Sequence, residues 1–136
     1  MNEERIDLTG LQSVELIIGY SNLLCSQETW SASINGMHAA FSELKARYSE
    51  FFTDIWFDEN LIKPYSRSVD SALSCLMTIG IAYVNSPKYD TIYIEKKYKD
   101  EIIAHLSKDL PDKIMSQGKE ISKKFDEIIE NFEKAK

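Results

Sequence analysis

The chain has 136 residues, a formal net charge of −6 at pH 7, 43% hydrophobic and 28% charged side chains, five glycines and three prolines. That is enough for one domain with a genuine core, too ordinary a balance for a disordered tail or a membrane protein, and too little Gly and Pro for a turn-rich β fold. Residues 1 to 62 carry three basic against ten acidic side chains and residues 63 to 136 thirteen against twelve, about −7 and +1, which argues against a whole-surface attraction to nucleic acid or anionic lipid and leaves room for a local basic patch.

The opening MNEERIDLTG has acids where a signal peptide needs a basic stretch followed by an apolar one. A cytoplasmic, untargeted chain is expected, with residues 1–8 frayed and a single helical domain over 1–136. From Thr9 onward, Leu11, Val14, Ile17, Ile18, Leu23, Leu24 and Cys25 fall at helical spacing, with Thr9 or Ser13 as N-cap. Ser26 to Thr29 reads as a turn, Ser26 capping a second helix.

The most regular stripe follows. Trp30, Ile34, Met37, Phe41, Leu44, Tyr48, Phe51 and Ile55 alternate at spacings of four and three, the pattern of one apolar helix face. Asn35-Gly36 is its soft point: the helix either runs unbroken or becomes regular only near Met37. Glu43, Arg47, Glu50 and Asp54 form a polar stripe on the other side, and its acids Glu50 and Asp54, at helical spacing, are the pair that could hold a Mg²⁺ ion in a metal-dependent hydrolase. The ExxE and ExxD spacings of helical nucleotide hydrolases are absent from this stripe.

Lys63-Pro64 closes that segment, since the residue before proline is pushed out of the helical region, and Ser66 or Ser68 caps the next helix. Val69 to Val84 is apolar on nearly every side, which predicts a core helix buried all round; it is too short and too often interrupted to span a membrane. An alternative folds Ile79 to Asn85 back on Thr91 to Lys97 as a β-hairpin around Ser86 to Asp90. Asp100 to Leu110 is helical again. After Pro111, with Asp112 in its first turn, the last helix carries Ile114, Gly118, Ile121, Phe125, Ile128 and Phe132 on one face, and Gly118 is expected where another backbone comes close. The wide aromatic stripes favour several helical neighbours over a two-stranded coiled coil. The predicted fold is all-α, an antiparallel four- or five-helix bundle, with the hairpin around residues 79–97 as its minor variant.

Motifs for chemistry are lacking. Cys25 and Cys75 sit in apolar runs and read as reduced core residues. His38 and His105 lie in different segments, and Glu101 precedes His105 by four where a di-iron bundle needs Glu-x-x-His, twice. There is no GxSxG elbow and no phosphate loop. No metal and no cofactor is expected, and a non-enzymatic chain is favoured over an enzyme without excluding one, since catalytic groups can be assembled in space. The least bland stretch interleaves tyrosine with lysine: Lys88, Tyr93, Lys96, Lys97, Tyr98 and Lys99 are the candidate contact residues for a partner or for a nucleic-acid backbone. Together with the spare aromatics Tyr65, Tyr83 and Tyr89, this favours a non-enzymatic interaction or assembly subunit that meets a protein partner or a second copy of itself. The alternatives are a small helical subunit of a nucleoprotein complex and, more weakly, a hydrolase using Glu50 and Asp54.

Overall fold

A computed structural model describes residues 8–24, 27–58 and 62–135. Eight elements follow one another: α1 (Gly10–Tyr20), β1 (Thr29–Ser33), α2 (Ile34–Arg47), α3 (Arg67–Thr78), β2 (Ala82–Val84), β3 (Thr91–Glu95), α4 (Lys96–Asp109) and α5 (Asp112–Lys134). The strands make one antiparallel sheet in the order β1-β3-β2. The all-α bundle is therefore corrected to a mixed fold, five helices packed beside a three-stranded sheet.

The correction is sharpest at Trp30. Thr29-Trp30-Ser31-Ala32-Ser33 alternates, with Trp30 and Ala32 buried against the helices and Thr29 and Ser31 partly exposed, the period-two pattern of a half-buried strand. Ser33 then takes its Oγ to the Gly36 N–H and caps α2. The apparent helical register through Trp30 and Ile34 thus joins a strand residue to a helix residue. At its other end the stripe leaves the helix at Arg47, and Phe51, Phe52 and Ile55 are buried from a run of turns. The hairpin is present, its strands shorter than Ile79–Asn85 and Thr91–Lys97.

Helix starts match local chemistry. Thr9 and Gln12 form a reciprocal capping box on α1. Ser66 caps α3 through the Val69 N–H. Leu8, expected to fray, is buried; residues 1–7, Cys25 and Ser26 lie outside the described part. The core joins Phe41 of α2 to Phe125 of α5 (5.3 Å between ring centres) and to Phe52 (6.0 Å), with Trp30, Ile92 and Ile94 closing it from the sheet. Helix α1 packs on α3, α4 and α5. Its contact with α5 lies where a Cβ on Gly118 would fall 2.5 Å from the Leu16 side chain, so that glycine makes room for a side chain and not, as expected, for a backbone. Helix α3 is not buried all round: Val69, Ala72, Leu73 and Leu76 face the core while Ser74, Cys75 and Ile79 are exposed. Among the described residues, no helix is long and apolar enough to cross a membrane.

Candidate functional site

The hairpin leaves several large side chains exposed. Asn85 closes it: its Oδ1 accepts the Asp90 and Thr91 N–H groups at 3.0 and 2.9 Å, and its Nδ2 donates to Asp90 Oδ1 at 2.8 Å. These bonds hold the Asp90 carboxyl below the usual carboxylate range, the Asn85 amide being the first cause. The loop so fixed places Tyr89 at φ 53°, in the left-handed region that a non-glycine residue seldom adopts, with its ring 63% exposed. On the strands, Tyr83 and Tyr93 are direct cross-strand partners on the outward face, stacked at 5.3 Å with their planes 15° apart. Tyr83 is 52% exposed. Ser31 of β1 stands next in the same row, so the outward face runs Tyr83, Tyr93, Ser31 across the three strands.

The six candidate residues do not form one patch. Lys88 is exposed on the loop and Tyr93 lies in the outward row. Lys96 and Lys97 open α4, where Lys97 pairs with Glu95 at 3.3 Å and lies over the Tyr98 ring. Lys99, predicted as a surface contact, is buried, because the next turn of α4 faces α1. Its ammonium donates to the Ser21 carbonyl at the C-terminal end of α1, where a cation opposes the helix dipole favourably.

That lysine belongs to a partly buried polar hub which sequence patterning missed. Ser21 Oγ donates to Asp126 Oδ1 at 2.5 Å and accepts the Trp30 Nε1–H at 2.8 Å, and the Asn22 N–H donates to Asp126 Oδ2 at 2.9 Å. Burial raises the Asp126 pKa, against the hydrogen bonds from Ser21 and Asn22 and the charge of Lys99. Burial lowers that of Lys99, against the charge of Asp126. The hub ties α1, β1, α4 and α5 together and fixes the direction in which residues 22–24 leave α1.

Those residues wall an open groove of about 550 Å³. It is lined by Asn22, Leu23 and Leu24, by Ser31, Ala32, Ser33 and Thr91 of the sheet, and by Ile129, Glu130, Glu133 and Lys134 of α5. Leu24 is a large apolar side chain left 39% exposed beside it.

His38 and Asp54 are engaged within the protein. His38 is buried; its Nδ1 accepts the Ser66 N–H at 3.0 Å, its Nε2 lies 3.8 Å from Asp70, and its ring stacks on Tyr65, whose hydroxyl donates to Asp70. Tyr65 is therefore not a spare aromatic. Asp54 Oδ2 accepts the Gly10 N–H at 2.6 Å, which occupies one of the two acids of the hydrolase alternative, while Glu50 lies exposed in a turn. Among the described residues no group of three or more His, Cys, Asp or Glu is placed to hold a metal ion. Cys75 is an exposed free thiol and not a core residue. No family model, curated protein or solved structure matches the chain.

Proposed function

We propose that the chain is a non-enzymatic interaction or assembly subunit of the cytoplasm, and that it meets a protein partner or a second copy of itself through the outward face of its hairpin. The observation that carries this reading is the exposed Tyr83 stacked on Tyr93, next to a loop that holds Tyr89 outward at a positive φ. Tyrosines offer large, rigid contact area at low entropic cost and are enriched where binding energy concentrates. The exposed Cys75 thiol suits a reducing compartment. A nucleoprotein subunit has less behind it, since two of its four lysines are engaged: Lys99 inside the protein and Lys97 with Glu95.

The test is affinity capture with partner identification, run beside light scattering from micromolar to near-millimolar protein, on the wild type and on a Tyr83→Ser, Tyr93→Ser double variant. The wild type is expected to retain a defined partner or to self-associate, and the variant to lose that association by tenfold or more, about 1.4 kcal/mol, with its unfolding midpoint little changed. A monomer that retains nothing, or a variant that binds as the wild type does, would overturn the reading.

A further inference from the structure

Between the buried Ile55 and the buried Val69 of α3, the chain that connects α2 to α3 has one buried position among its described residues, Ser66. The two legs of this connection, 56–58 and 62–66, are tied to each other and to the start of α3. The Asp58 N–H donates to the Tyr65 carbonyl at 3.2 Å, and the Trp56 N–H donates to Ser68 Oγ at 3.1 Å. What pins them inside the molecule is the bond from the Ser66 N–H to His38 Nδ1 of α2, at 3.0 Å. Two other contacts are looser: Phe57 packs on the core only in part, and the Lys45 ammonium of α2 lies 4.4 Å over the ring of Trp56, at the surface.

A backbone N–H can only donate, so Nδ1 carries the lone pair and the ring proton sits on Nε2, toward Asp70 Oδ1 at 3.8 Å. The pin therefore holds only while the imidazole is neutral. A proton on Nδ1 sets two donors against each other in a site closed to water, since both His38 and Ser66 are buried. We infer that the legs 56–58 and 62–66 are an acid-operated latch: neutral His38 keeps it shut, and proton uptake by His38 frees Ser66 and the legs that carry the exposed Trp56 and Ile62. The latch needs no partner and stands apart from the Tyr83 surface.

Asp70 favours the imidazolium, and so does the Tyr65 ring, stacked on His38 at 4.9 Å. Tyr65 in turn donates its hydroxyl to Asp70 and feels the charge of Arg67. None of these groups takes over the Ser66 N–H. Among the described residues Asp70 is the one charge that acts on His38, with none from α5 or β1, the elements packed on α2. Burial outweighs Asp70 and lowers the His38 pKa. Opening exposes the ring and returns it to its ordinary pKa, about 6.5. The open form thus binds the proton better and gains population as the pH falls through that value.

The experiment is amide hydrogen exchange on the full ¹⁵N-labelled chain at pH 7.5 and 5.5, each rate divided by the intrinsic rate at that pH. The Ser66 and Asp58 amides are expected to lose protection several-fold at pH 5.5, up to about tenfold for a group that titrates near 6.5 when open. Their exchange is expected to be insensitive to low urea, as a local opening exposes little surface, while that of Phe125 in α5 rises with it. His38→Gln, whose amide oxygen can accept the Ser66 N–H at either pH, is expected to show no such loss. Asp70→Asn removes the charge that favours the imidazolium without touching the buried ring, and is expected to enlarge the loss. A wild type without the loss, the same loss in His38→Gln, a smaller one in Asp70→Asn, or exchange at Ser66 with the urea dependence of Phe125 would overturn the inference.

Discussion

A few polar side chains decide how the segments meet. Ser21 is wholly buried and serves Asp126 and the Trp30 indole at once. Ser21→Ala leaves the Trp30 N–H in the core without an acceptor, and such a group costs about 1–3 kcal/mol; urea unfolding of the variant is expected to show a loss in that range. His38 makes a pH-dependent prediction. Burial is the main cause of its lowered pKa, opposed by Asp70, and Nδ1 must stay unprotonated to accept the Ser66 N–H. A histidine whose folded pKa lies below its unfolded value, about 6.5, binds its proton more readily in the unfolded chain. Its stabilising contribution is therefore complete above about pH 6.5 and is lost as the pH falls from there toward the folded pKa. Stability measured between pH 8 and 5 is expected to drop in the wild type, and to drop less in His38→Gln. Neither role was legible in the sequence. A lone His and a lone Ser carry no periodic signal, and their partners lie 28 and 105 residues away.

Elements were legible in proportion to how local their determinants are. The Thr9 and Ser66 caps and the whole of α5 follow from neighbours within a few residues. Strand β1 does not: five residues of alternation are outweighed by a longer helical stripe, and what selects the strand is β3, a partner remote in sequence. The stretch that interleaves lysine with tyrosine begins inside Thr91–Glu95, and there the alternation of Tyr and Ile is that of a strand with Ile92 and Ile94 inward. Of the candidate site, Tyr83 and Tyr89 were visible as spare aromatics and Tyr93 as a candidate contact residue, while the groove joins residues 22–24, 31–33, 91, 129–130 and 133–134 and had no sequence signature. The contact of α1 with α5 has its own test. Leu16 is fully buried, so Gly118→Ala has to displace a side chain with nowhere to go, and overpacking of this kind costs about 1–3 kcal/mol. Thermal and denaturant unfolding are expected to show that loss, in spite of the better helix propensity of alanine.

At the scale of the molecule, stability centres on an aromatic cluster that no single element owns. Phe41 from α2, Phe52 from the turns after it and Phe125 from α5 meet edge to face or tilted, arrangements that add to their burial. Phe125→Ala is expected to cost about 3–5 kcal/mol, read as a shifted unfolding midpoint in denaturant. An unchanged midpoint would remove Phe125 from the core.

The pairing of the sheet also sets an order of assembly. Val84 meets Ile92 only 8 residues on (84 to 92), whereas Ser33 meets Thr91 after 58 (33 to 91). Closing the longer loop costs more entropy and is slower, so the hairpin forms first and β1 docks on it later. On a ribosome the delay is built in, since Trp30 is made long before β3 exists.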